Sequence, residues 1–361
     1  MHHRVLTLAL LLCLSPLAKS QQGPPKSITV VERRAVVATL ANQLQAKYVF
    51  PDAAKALAAA LVAREAAGAY AGANDTAAFA NALATDMRTL GKDGHFNVMH
   101  APGFKPRPAG QAPTTEELDA ARKEAAYYGY GIDNLARLPG NVGYLELRGF
   151  VGPTELAAEA LSAAMTVLSG TDALILDLRR NGGGEPNTVA YLMSHFFAQG
   201  DERHLNDLYS RASGTTRQYW TTPAASPRYL KPVYVLTSKR TFSGGEEFAY
   251  DMKTQKRGVI VGDATGGGSN PGDMYVLASG FAAFIPDGRA INPITNTNWE
   301  HVGVKPDIAV PAADARKVAH AAILRGFIKD TKDADEKRDL GEALAKVESG
   351  VVDAPVYVPR R

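Results

Sequence analysis

The chain has 361 residues, of which 45% are hydrophobic and 21% charged, with a formal charge of +3. That length holds one large or two modest domains with a buried core, and so small a charge gives no argument for nucleic acid as a partner. Cys13 is the only cysteine, which leaves no disulfide, thiol nucleophile or cysteine metal site in the chain beyond it.

Residues 1–20 read as a secretory signal peptide. Arg4 supplies the positive start, Val5 to Leu14 the apolar stretch, and Ala18-Lys19-Ser20 the small-x-small cleavage pattern. Loss of Arg4 and Lys19 with the leader lowers the charge from +3 to +1. No apolar run is long enough to span a bilayer, so the mature protein is expected to be exported, periplasmic or extracellular, without stable membrane insertion. Residues 21–92 are expected to form a helical domain. Helical spacing runs from Val31 to Tyr48 through Val36, Val37, Leu40 and Leu44. A second helix follows Pro51-Asp52, and Asp75 caps a third over Thr76 to Leu90.

From residue 93 to 328 the pattern changes to an α/β core. Gly91 to His95 is a turn leading into an alternating strand at Phe96 to Met99. Ala101 to Pro113 is a proline-rich connector, and Thr114 to Tyr127 is helical. Strand then alternates with helix: Val142–Leu147, Thr154–Val167, Ala173–Leu178, Asn187–Phe197, Val233–Leu236, Gly244–Lys256 and Val259–Val261. This order predicts a mixed, largely parallel sheet flanked by helices. Asp201 to Arg228 is irregular and reads as a hairpin or flap, Met274 to Pro286 as a hairpin, and Ala312 to Ile328 as a closing helix. Residues 329–361, charged and then proline-bearing, are expected to be a loosely attached tail.

Ser243 stands between a buried strand and a helix. Ser243-Gly-Gly-Glu246 fits a capping box, and it equally fits a nucleophile at a helix end, where free N–H groups favour an oxyanion. Gly244 and Gly245 are poor helix formers that let a carbonyl approach the backbone. The strand Leu174 to Asp177 runs into Asn181-Gly182-Gly183-Gly184, and the spacing suits an oxyanion hole shared by Gly183 and Gly244 better than a phosphate loop. Gly182, Gly267 and Trp220 are candidate substrate contacts. Arg211 and Arg217 share the flap with Trp220. His95, on its glycine turn, stands apart from His195, His204 and His320. Glu300 precedes a Gly-Val-x-Pro-Asp turn. There is no H-E-x-x-H or comparable metal cluster, and no cofactor is expected.

Taken together, TSKRTFSGGEEFAY, VGDATGGG, LILDLRRNGGG, KDGHF, GYLELRGF and WEHVGVKPDI resemble the C-terminal processing (tail-specific) peptidase family, in its branch with the tricorn core and the interphotoreceptor retinoid-binding protein repeats. The resemblance implies a crotonase-like core. It implies Ser243 as nucleophile, His95 as general base, Glu300 as the acid that orients it, and Gly244 with Gly183 as the oxyanion hole. A peptide or protein would be the substrate. The tail-specific branch has a lysine base about twenty-five residues after the serine, where this chain has Gly266-Gly267-Gly268-Ser269. About forty-five residues separate His95 from Val142, too few for the PDZ domain of that branch. Two other readings stay open: a carrier of an apolar ligand such as a retinoid or fatty acid, and an esterase with the same triad.

Overall fold

A computed structural model describes residues 25–107 and 111–350; the expected signal peptide lies outside the described residues. A six-stranded sheet forms the centre, in the order β12-β8-β7-β4-β3-β2. These strands are β2 (Ile132–Leu138), β3 (Val142–Leu147), β4 (Ala173–Asp177), β7 (Val233–Thr237), β8 (Val259–Gly262) and β12 (Ile308–Ala309). All neighbours pair in parallel except β2 with β3.

The alternation of the strands assigns the two faces. Leu174, Leu176, Val233, Val235 and Ile260 pack under α5 (Thr154–Leu168), α6 (Pro186–Ser194) and α7 (Gly244–Thr254), meeting Leu161, Met165, Leu192 and Phe248. Val142, Tyr144, Ile175 and Val261 face α8 (Ala315–Asp330), through Ala315, Ala319 and Ile323. Helices on both faces explain why β3 and β4 are buried along their whole length rather than alternating. The edge strand β2, with Asp133 and Asn134 exposed, has no such run and was not among the expected strands.

The N-terminal helices α1 (Val30–Lys47), α2 (Pro51–Ala66) and α3 (Thr76–Gly91) share a second core with a small antiparallel sheet, β1-β10-β9. Its strands are β1 (Asn97–His100), β9 (Gly272–Val276) and β10 (Phe281–Pro286). Thr29 caps α1 with a complete capping box, and Asp75 caps α3. Val98, Phe281, Ala283 and Ile285 turn toward the helices. The register Asn97↔Phe284 draws the turn that carries His95 against the α/β core. The flap is a real hairpin, β5 (His204–Ser210) with β6 (Thr215–Trp220), joined by β11 (Gly288–Ile291). Between β1 and β2 lies α4 (Thr115–Tyr127).

The tail differs from expectation. Ala334–Ser349 forms α9, capped by Asp333 and packed on α8 through Leu340 and Ala343 against Leu324. Its apolar residues Leu340, Ala343, Leu344 and Val347 stand at helical spacing within a charge-rich segment. The C-terminal proline-bearing part, 351–361, lies outside the described residues.

Candidate active site

Ser243 sits where β7 turns into α7, with φ 52° and ψ −123°. An ordinary N-cap is extended; a non-glycine residue at this φ is strained and must be held by its surroundings. The holding groups are visible. Thr241 Oγ1 donates to the Leu178 carbonyl at 2.7 Å, Ser238 Oγ to the Arg179 carbonyl at 2.6 Å, and the Phe242 N–H to the Asn181 carbonyl at 3.0 Å. These bonds staple the turn to the loop after β4. Glu246 accepts from the Ser243 N–H at 2.9 Å, the side of the capping box that sequence foresaw. The same carboxylate also accepts from Thr265 Oγ1 (2.5 Å), Gly267 N–H (2.6 Å) and Gly268 N–H (2.8 Å). Burial pushes Glu246 up to about 7, against the pull of these donors.

The glycine loop after β4 lies directly against the serine. A Cβ on Gly183 (φ +101°) would come within 2.7 Å of Ser243 Cβ and 2.8 Å of Gly244 N. The Gly183 N–H, however, already donates to Asn181 Oδ1 at 2.8 Å. Its neighbour Gly184 has no such partner among the described residues, nor has the Gly244 N–H. The Gly184 nitrogen lies 3.0 Å from where a Cβ on Gly244 would stand. The free donor beside Gly244 is therefore Gly184 rather than the expected Gly183. Asp177 and Arg179 hold each other, with Arg179 Nη2 2.6 Å from Asp177 Oδ2 and the Tyr144 hydroxyl donating to the same oxygen at 2.7 Å. This supports the loop rather than touching the cleft. Asp177 stays below its ordinary range because these donors outweigh the effect of burial.

His95 is buried on the turn between α3 and β1. Its ring centroid lies 4.5 Å from that of Phe242, the residue just before Ser243, and 6.3 Å from that of Phe284. Gly268 closes on the ring edge, since a Cβ there would stand 2.8 Å from His95 Cε1 and 2.2 Å from Phe242 Cζ. His95 Nδ1 is 3.3 Å from Asp93 Oδ1, which also accepts the His95 backbone N–H at 3.0 Å. Asp93 Oδ2 accepts from Asn270 Nδ2 at 2.9 Å. Burial raises the Asp93 carboxyl, but the histidine and Asn270 outweigh it and hold the group below its usual range. His95 Nε2 is buried with no hydrogen-bond partner, so the Ser243–His95 bond is not closed here. Such bonds are often loose in an empty site.

Glu300 is near this pair without a hydrogen bond to His95. Its Oε2 accepts from the Ser269 N–H (2.5 Å) and hydroxyl (3.0 Å), and Oε1 is buried without a hydrogen bond, 3.5 Å from His301 Nδ1. Burial and then the Asp93 charge raise Glu300. Gly267 faces Glu246 through its N–H and takes the His301 N–H on its carbonyl at 2.9 Å. Gly182 donates to the Arg148 carbonyl at 3.2 Å. A small cleft opens beside Ser243, lined in part by Gly184, Gly244, Glu247, Leu208, Gly268 and Trp299. Gly182, Gly267 and Trp220 are not in its lining. Trp220 is 45% exposed on β6 and stacks on His204 at 4.4 Å. Arg211 ties the flap to α1 by donating to the Tyr48 and Gln45 carbonyls, and Arg217 donates to Asn187 Oδ1. Among the described residues no cluster of three or more His, Cys, Asp or Glu could hold a metal, and no helix is long and apolar enough to cross a membrane.

Fold and site thus define an α/β protein with a serine on a strained strand-to-helix turn, free backbone donors beside it and a carboxylate-backed histidine close by. The sequence profile described as Peptidase family S41 matches residues 141–310, and that of the N-terminal domain of Peptidase_S41 in eukaryotic IRBP matches 29–127. The chain belongs to peptidase family S41. It is 27% identical over 191 residues to the carboxyl-terminal-processing peptidase 2, chloroplastic, of Arabidopsis thaliana, which spans 49% of this chain and 34% of that one. The match thus spans about a third of that curated relative's length. The fold is shared with a crystal structure from Parabacteroides merdae (TM-score 0.54, 19% identity, 89% of this chain and 99% of that one). It is also shared with the tricorn protease (TM-score 0.52, 14% identity, 88% and 37%).

Proposed function

We propose that this chain is an exported serine peptidase that cleaves peptide bonds through Ser243 and His95, with Asp93 as the carboxylate that orients the histidine. The observation that carries the reading is the strained Ser243 turn, whose preceding residue packs on a buried imidazole with an unpartnered Nε2. His95 Nε2 takes the Ser243 hydroxyl proton as Oγ attacks the substrate carbonyl. The resulting oxyanion is held by the Gly244 and Gly184 N–H groups. When the intermediate collapses, His95 returns the proton to the departing amine, and water then releases the acyl group by the same route in reverse.

Asp93, kept ionised, fixes the tautomer with Nδ1 protonated. Glu300, one contact further out through Ser269, braces the loop around the histidine. The space that a side chain at position 268 would need is filled by the imidazole and Phe242, which favours histidine over a lysine from that loop. Export rests on the N-terminal pattern Arg4, Val5–Leu14, Ala18-Lys-Ser20.

The test is labelling of the mature chain with a fluorophosphonate, followed by cleavage of a peptide library. Wild type should label and Ser243→Ala should not, with kcat lower by roughly four to six orders of magnitude. Equal labelling of Ser243→Ala would remove the nucleophile from this reading. Turnover of esters with no peptide cleavage would make the chain an esterase instead.

A further inference from the structure

We propose that Glu247, on the floor of the Ser243 cleft, selects lysine or arginine as the residue whose carbonyl Ser243 attacks. The proposal rests on the peptidase reading above and names its substrate class. Glu247 lies four residues after Ser243 and therefore on the same face of α7. Both line the same cleft, whose walls include Pro186, Leu208, Ala290 and Trp299.

The floor is rich in unmet polar capacity. Glu247 is only 5% exposed; no cation pairs with its carboxyl among the described residues, and the polar group that meets it is the side-chain amide of Asn206. Asn206, fully buried, meets the Glu247 carboxyl with an amide that has no other partner among the described residues. One turn along, Asp251 is fully buried; its Oδ1 accepts from Asn292 at 3.3 Å and its Oδ2 has no partner. Trp299 cannot serve Glu247, because its indole N–H donates to the Gly268 carbonyl at 2.7 Å. Buried polar groups without partners are costly. Of these groups Glu247 lines the apolar-walled opening beside the nucleophile, so the cation it lacks is a substrate side chain. An aliphatic stem ending in a cationic donor matches such walls and such a floor. An apolar side chain would leave the carboxyl and Asn206 as they are.

Charge sets the pH behaviour. Burial pushes Glu247 up to about 8, and Glu185 ahead of α6 adds to the shift. Asp251 on its own helix and Tyr219 on β6 also face it. Arg217 on β6 acts on Glu185 and lies over the Tyr219 ring, 5.0 Å from its centroid. Burial thus favours the protonated Glu247 carboxyl when no cation faces it. A bound cation favours the ionised form, so preference for a basic side chain grows as pH rises.

The experiment compares rates of Ser243 modification by two peptidyl diphenyl phosphonates that differ only in carrying a lysine-like or a leucine-like group next to phosphorus. A plain fluorophosphonate is run beside them on the full mature chain. At pH 8 the lysine probe should react roughly ten to a hundred times faster, the worth of one charged hydrogen bond, and the ratio should shrink at pH 6. Glu247→Gln should bring the ratio near one, and Glu247→Leu should invert it. Should neither variant fold, the wild-type ratio between pH 6 and 9 decides, and a flat ratio overturns the proposal. Fluorophosphonate labelling with a leucine preference overturns this inference and leaves the peptidase reading standing. No modification by any of the three probes removes both.

Discussion

Asp93 and Glu300 bring two carboxylates near one imidazole, and their surroundings push them apart. Asp93 is held ionised by His95 and Asn270 despite its burial, while burial and the Asp93 charge raise Glu300. Pairs separated in this way take different roles. Asp93→Asn should therefore lower kcat by about 10³ to 10⁴ through the wrong tautomer of His95. Glu300→Gln, which keeps the acceptor for Ser269, should lower it by no more than roughly tenfold. Steady-state assays with thermal melts of both variants check this, and a deeper loss at Glu300 would reverse the assignment. The Asp-Gly-His turn already carried the signal for Asp93, since an aspartate accepting the N–H two residues on is a common turn device. Serine-triad logic directs attention to a distant acid, and the resemblance supplied Glu300. Gly183 and Gly184 could not be separated from sequence. Which of two adjacent glycines keeps a free N–H is decided by Asn181 Oδ1 reaching back to one of them.

At the level of elements, the β7–turn–α7 unit was legible because apolar strand, glycine pair and helix are local signals. Its attachment to the Thr265–Gly268 loop through Glu246 was not, because the bonds span about twenty residues and all of them end on a residue already explained as a cap. That loop sets how closely His95 approaches. Gly268→Ala places a Cβ 2.2 Å from Phe242 Cζ and 2.8 Å from His95 Cε1, so the ring must shift. Misplacement of about 1 Å costs on the order of a hundredfold in rate. We expect at least that loss in kcat, with the chain still folded by circular dichroism; wild-type turnover would show that His95 does not work from this position. In α9 the spacing Leu340, Ala343, Leu344, Val347 was present in the sequence but masked by the surrounding charge. Leu340→Ala removes a buried contact with Leu324 and should destabilise by about 2 kcal/mol. Fluorophosphonate labelling should not change, since α9 packs on α8, on the far face of the sheet from α7. An unchanged melting temperature would mean that α9 contributes little to the fold.

For the whole molecule, the buried acids of α7 tie stability to pH in a direction opposite to the usual one. Glu246 is raised to about 7, Glu247 to about 8 and Asp251 well above its ordinary value, each chiefly by burial. Between the unfolded value near 4.5 and these folded values, the native chain keeps protons that the unfolded chain releases. The unfolded state then binds fewer protons, so stability falls as pH rises. Below that range Asp93 and Asp177 act the other way, because their folded values are depressed and their contribution is lost as pH falls through them. Stability should therefore peak near pH 5 and decline toward pH 8 by at least about 2 kcal/mol, one raised unit being worth about 1.4 kcal/mol. Denaturant melts at pH 5, 6.5 and 8 measure this directly. Glu247→Gln, which carries no ionisable proton, should flatten the upper part of the curve. A wild-type curve that is level or rises over this interval would show that the α7 carboxyls ionise freely inside the fold, through water or a counter-charge that relieves their burial.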